Sequence, residues 1–191
     1  MRKILLSAAL LIVCLPAHAG ESSEVAEPPA EVFWKSLGAL CGKAFAGKVI
    51  ESVPPDPSFE TQELVMHVRE CGPRAIRIPF HVGENRSRTW VLSRGGGVLR
   101  LEHDHRHEDG TPDAITLYGG VTANKGTALR QDFPADPRTG TLVPAAATNV
   151  WTLEVLPGKL FTYSLKREGR SFRAEFDLAS PIPPPPPPWG S

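Results

Sequence analysis

The stretch VWTLEVLPGKLFTYSLKREGRSFRAEFDL, residues 150–178, decides the fold. Its apolar residues recur at every second position, the period of a strand whose successive side chains point to opposite faces. Trp151, Leu153 and Val155 share one face before Pro157-Gly158 breaks the run. Phe161, Tyr163 and Leu165 share the next face up to Glu168-Gly169, and Phe172, Phe176 and Leu178 complete a third strand. Connections this short join only antiparallel neighbours, so the segment predicts a meander with one apolar face.

Working back toward the N-terminus, the same alternation continues. Strands are expected at Phe45–Ser52, Leu64–Cys71, Ala75–Val82, Arg88–Ser93 and Val98–His107, the last two forming a hairpin across Gly95-Gly96-Gly97. A further strand over Ala114–Tyr118 is expected to be interrupted by Gly119-Gly120, with a looser stretch through Leu129–Phe133 and turns from Pro134 to Ala147. Ahead of all of these, Phe33, Leu37 and Leu40 fall at i, i+4 and i+7 between Pro29 and Gly42, which predicts one helix over 30–41. The fold class is therefore all-β: one antiparallel barrel of about 8 to 10 strands behind a single short helix, since closure removes aggregation-prone edges. A two-sheet sandwich or a cupin-like arrangement is the alternative.

The ends differ from this domain, which spans 31–180. Arg2-Lys3, an apolar run from Ile4 to Leu15 and Ala17-His18-Ala19 have the three-part pattern of a secretory signal peptide, with cleavage expected after Ala19. The apolar run is too short for a membrane span, which needs about 20 residues. Residues 20–30 read as a flexible acidic lead. At the other end, Pro183–Pro188 and Trp189-Gly190-Ser191 form a polyproline tail, 181–191, that cannot donate ladder hydrogen bonds. It is expected to be a spacer whose Trp189 folds back, with recognition by an aromatic groove as the interaction-module alternative.

The whole chain carries 21 basic and 21 acidic residues. Removing residues 1–19 takes Arg2 and Lys3 and no acid, which leaves 19 against 21 and a net charge of −2. That balance argues against a nucleic-acid partner, although Arg86, Arg88 and Arg94 flank Trp90. Cys41 and Cys71 both survive processing, and an even count in an exported chain favours a disulfide between them. In the chain-entropy model, closing that loop of about thirty residues stabilises by about 3.5 kcal/mol.

The strongest candidate site is His103-Asp104-His105-Arg106-His107-Glu108-Asp109-Gly110. On a strand, His103, His105 and His107 continue the face of Leu99 and Leu101, whereas Arg100, Glu102, Asp104 and Arg106 take the other. Imidazoles on the core face either line a cavity or hold a metal, because an unpartnered polar ring is costly there. The ligand-contacting set is His103, His105, His107, Tyr118, Trp90 and Tyr163. Alternate residues lie about 6.7 Å apart, so His103 and His105 are the pair able to converge on one Zn²⁺, with a third donor required from His67, His81, Glu154 or Tyr163. His107 belongs with the turn that follows. Arg88, Arg100 and Arg106 are the candidates for holding an anionic group.

The helix ending in Leu37-Gly38-Ala39-Leu40-Cys41-Gly42-Lys43, followed by a long meander, resembles the calycin group of lipocalins and fatty-acid-binding proteins across most of 31–178. The lipocalin pattern of a glycine two residues before a tryptophan is not met, since Lys43 and Ala44 follow Gly42. The segments Cys41–Phe45, Ile76–Gly83 and the histidine stretch with Tyr118-Gly119-Gly120 are also similar to uncharacterised exported bacterial proteins. Separately, Gly97, His103 and His105 resemble the start of the first cupin motif, but Glu108 is displaced from the cupin position and no histidine follows His107. The calycin likeness implies a barrel holding a small apolar or amphipathic molecule. The cupin likeness implies a metal-dependent enzyme using His103 and His105. The leading expectation is an exported, non-enzymatic barrel that binds a small ligand.

Overall fold

The computed structural model describes residues 26–191, so the expected signal peptide lies outside the described residues. The helix α1 spans Pro29–Gly38, with Pro29 at its first turn where a missing N–H costs nothing. Its apolar face buries Phe33, Trp34 and Leu37. Ten strands then follow one another through the sheet: β1 (Ala44–Val53), β2 (Leu64–His67), β4 (Ala75–Val82), β5 (Asn85–Gly95), β6 (Val98–His105), β7 (Tyr118–Val121), β8 (Arg130–Pro134), β9 (Val150–Leu156), β10 (Leu160–Arg167) and β11 (Arg170–Ile182). The two-residue β3 (Glu70–Cys71) pairs only with β4, so the single expected strand over 64–71 is two short ones. Two short helices, α2 (Pro57–Glu60) and α3 (Pro137–Leu142), interrupt the meander.

The sheet order is β7-β6-β5-β4-β2-β1-β11-β10-β9-β8, antiparallel throughout. First and last strands pair in the middle of this order, and the two remaining edges, β7 and β8, meet through the Gly120–Ala135 bridge. The result is a barrel closed except for a thin seam. All nine residues assigned to the inner face of β9–β11 point into the core, with Trp151, Leu153, Val155, Phe161 and Phe176 completely shielded.

The seam is built from residues that alternation misreads. Gly119 and Gly120 continue strand β7 rather than interrupting it. A Cβ on Gly119 would lie 1.8 Å from the Leu101 carbonyl oxygen, and one on Gly120 would lie 2.1 Å from that of Pro134, so only glycine lets the backbones approach this closely. Across the gap, buried Thr139 stands in for a neighbouring strand: its hydroxyl accepts from Gly119 N at 2.7 Å and donates to Gly119 O at 2.7 Å. Asp136 caps α3 by accepting from Thr139 N at 2.8 Å, and Arg100 donates to the same carboxylate at 2.6 Å. Arg100 therefore faces outward and belongs to the seam.

Two further features tie the chain ends to the barrel. Cys41 and Cys71 form a disulfide that links the α1 exit to β3. Strand β11 extends through Pro181 and Ile182, opposite Phe45 and Ala44, beyond the expected boundary at 180. From there the prolines cross the outside of β2 and β4 to β5, where Trp189 N donates to Arg86 O at 3.1 Å and Arg86 Nη1 donates to Pro187 O at 2.9 Å. Ile182, Pro185 and Pro188 are half-buried while Pro183, Pro184, Pro186 and Pro187 are exposed, the three-residue period of a polyproline II helix with one edge against the sheet. The tail is thus a strap docked on the barrel. Along its course His67 and His81, which alternation assigns to the solvated face, are buried.

Candidate functional site

Strand register places the two ends of the barrel. Gly95 pairs with Val98 at the end covered by α1, where the Arg94 guanidinium lies 4.7 Å from the Trp34 ring centre and bonds Glu31. Arg88 pairs with His105 at the opposite end, seven residues earlier in β5. There a cavity of about 260 Å³ opens between the β10–β11 turn, α2, the loop before Tyr118 and the residues after α3. Its interior is aromatic: Trp90, Tyr118, Trp151, Tyr163, Phe80, Phe59 and Phe172. Trp90 anchors this wall, stacked on Tyr163 at 4.4 Å and on Phe80 at 4.6 Å between ring centres.

His103, His105, Tyr118, Trp90 and Tyr163, five of the six expected ligand contacts, line this one cavity. His107 does not. It is exposed in the turn after β6, where its N–H donates to Thr111 O and its carbonyl accepts from Gly110 N, both at 2.9 Å. The strand ends at His105, and the alternation that would have carried His107 inward ends with it.

His103 is fully committed to the fold. Its Nδ1 lies 3.1 Å from the Tyr118 carbonyl oxygen, which can only accept, so the neutral ring carries its proton on Nδ1. Nε2 then accepts from the Tyr163 hydroxyl at 2.9 Å. The ring is stacked on Tyr118 at 4.9 Å between centres. Burial pushes its pKa down to about 3, outweighing the stabilising bond to the Tyr118 carbonyl, so the imidazole is neutral at any physiological pH. Burial likewise raises the Tyr163 hydroxyl well above its ordinary range. Tyr163, one of the four residues considered as a third metal donor, is in fact a hydrogen-bond partner.

Hydrogen bonds within the protein engage both members of the expected metal pair, His103 and His105. Both nitrogens of His103 are occupied by protein groups, and His105 Nε2 sits 3.2 Å from the Tyr118 hydroxyl. Among the described residues no three His, Cys, Asp or Glu side chains gather as a metal would require. His67 and His81 take the outward parity of β2 and β4, opposite to Leu64, Met66 and Phe80, and Glu154 faces Arg130.

The cavity rim is cationic, and here the expected anion-binding trio divides. Arg106 turns outward and, with Arg77, holds the buried Asp104 carboxylate at 2.9 and 2.8 Å. Arg88 shares the inward parity of Trp90 and lines the cavity. Its Nη1 donates to Asn85 Oδ1 at 3.0 Å and Ser87 Oγ at 3.4 Å, and its guanidinium lies over the Phe59 ring at 5.2 Å. Burial lowers its pKa and, together with the nearby Arg88 charge, lowers that of His105.

Arg167 and Arg170, which bracket the β10–β11 turn, were not among the expected residues. Their signal is the pattern Arg167-Glu168-Gly169-Arg170, two cations on either side of a two-residue turn. Arg167 donates to Asn149 Oδ1 at 2.9 Å, while Arg170 reaches Asp56 only at 3.7 Å. At the rim, Leu117 adopts a left-handed conformation, φ 55°, unusual for a residue with a branched side chain, and its N–H donates to His103 O at 2.7 Å. That turn sets the Tyr118 carbonyl against His103. No family model, curated protein or solved structure matches this chain.

Proposed function

We propose that this protein is an exported, calycin-like barrel that binds one small molecule in the aromatic cavity at the open end, as a carrier or sensor and not as a catalyst. The observation that carries the reading is the cavity itself: about 260 Å³, walled by stacked aromatic rings and rimmed by a few convergent polar groups. That combination of an apolar body and sparse polar groups characterises sites for small ligands. A site of this size suits a molecule at the small end of that class.

The polar chemistry supports binding over turnover. His103, the most buried titratable group in the wall, is held neutral with both nitrogens engaged, which removes it as a proton acceptor near neutral pH. The nearly closed barrel, the helix covering its far end and the Cys41–Cys71 disulfide support the calycin-like and exported parts of the reading. Titration with the neutral fluorophore N-phenyl-1-naphthylamine tests it. Saturable enhancement with one site per chain is expected, and its absence would contradict a ligand cavity.

A further inference from the structure

We propose that the ligand of this cavity is an amphipathic anion whose carboxylate or phosphate oxygens seat on Arg88, with Arg167 and Arg170 completing the cationic rim; this rests on the cavity being a ligand site. Three arginines line the cavity and no aspartate or glutamate does. The chain as a whole carries equal numbers of basic and acidic residues, so this is a local concentration of one sign. Asp56 lies 3.7 Å from Arg170 at the rim, whereas it reaches Arg88, and Asp113 reaches His105, only through longer-range charge interaction.

Four other arginines near this part of the sheet are each neutralised by a carboxylate. Arg77, Arg94, Arg100 and Arg106 each hold a carboxylate at 2.6 to 2.9 Å. Arg88 holds none, although it is half-buried and sits beside an aromatic wall. Among the described residues only its Nη1 has protein hydrogen-bond partners. Nε and Nη2, the edge that takes a two-oxygen anion side by side, are left for something else. Asn85, Ser87 and the Phe59 ring fix the orientation of the head. A guanidinium desolvated without a counter-charge is costly, and an incoming anion removes that cost. The aromatic rings beyond it take the apolar body, which excludes a bare inorganic ion as the best fit.

Isothermal titration of the full chain with octanoate, octyl phosphate and 1-octanol separates the alternatives, because the three share one apolar body. At least one anion is expected to bind tenfold or more tighter than octanol, and the tighter of the two identifies the headgroup as carboxylate or phosphate. Arg88→Gln is expected to remove that preference and leave octanol affinity unchanged, Arg88→Lys to retain part of it, and Arg100→Gln, at the seam, to retain all of it. Equal affinity for octanol and both anions in the wild-type chain would overturn the proposal even if no Arg88 variant folded, as would unchanged anion affinity in a folded Arg88→Gln. Octanol binding without anion preference would leave the cavity standing and refute only the anion. Failure of all three ligands and of the neutral fluorophore would refute both.

Discussion

The Tyr163 hydroxyl donates to His103 Nε2 at 2.9 Å across the inside of the barrel, joining residues sixty positions apart in the chain. It makes a histidine compatible with a core by supplying the one bond that the Tyr118 carbonyl cannot. Tyr163→Phe leaves that nitrogen buried and unpartnered, and a loss of about 1 to 3 kcal/mol is expected in urea unfolding. In the wild-type protein, nitrogen-15 spectra are expected to show His103 as the Nδ1-protonated tautomer between pH 5 and 8; a protonated Nε2 would contradict the bond as assigned.

Acid sensitivity follows from four histidines with lowered pKa values: His67, His81, His103 and His105. Burial is the first cause in each case. For His81 and His103 the folded values are about 4 and about 3, against 6.5 in an unfolded chain. The unfolded state therefore takes up protons first. Stability is expected to be level above about pH 7 and to fall from pH 6.5 toward pH 4, each of these two histidines contributing up to about 1.4 kcal/mol per pH unit. Asp104 and Asp136, whose pKa values are lowered, add their loss only at still lower pH. Urea midpoints measured from pH 8 to 4 check this, and a flat profile over that range would contradict it.

Thr139 holds the seam through one hydroxyl that both accepts and donates. Thr139→Val preserves volume but leaves Gly119 N unpartnered in a buried place, so a destabilisation of about 1 to 3 kcal/mol is expected. Amide exchange should locate the damage, with protection lost at Gly119 and Gly120 and retained along β10 and β11.

Deleting residues 183–191 tests the strap. Removing it exposes the outward residues of β2 and β4, so the His81 pKa is expected to rise from about 4 toward 6.5 in proton NMR titration. A loss of about 1 to 2 kcal/mol, or a Tm lower by about 2 to 8 °C, should accompany it. An unchanged His81 titration would mean that the strap does not shield this surface.

Much of the barrel is legible in the sequence because strict alternation marks which residues face inward. From Trp151 to Leu178 that signal is continuous, and every inner-face assignment agrees with the observed burial. Alternation carries no information about close backbone approach, which is why Gly119-Gly120 reads as a break and is instead the closing strand. Nor does it register a second layer. Thr139, carried by α3 against Gly119, and Asp104, covered by Arg77 and Arg106, are polar residues that the sequence pattern alone assigns to solvent.

The site shows the same division. Parity with Trp90 already distinguishes Arg88 from Arg100 and Arg106, which share the parity of Glu102 and Asp104. The partner of His103 is another matter. Tyr163 lies in a remote strand, and only the wrapping of the sheet brings it opposite.

The open end of the barrel is the proposed binding site for a small molecule. A two-dimensional NMR titration of the full chain with N-phenyl-1-naphthylamine tests it most directly, because shifts report the location as well as the event. Saturable changes are expected at the Trp90 and Trp151 indoles and at the amides of residues 115–118 and 167–170, with the α1 end unmoved. Changes confined to the strap or the α1 end, or none at saturating probe, would contradict it.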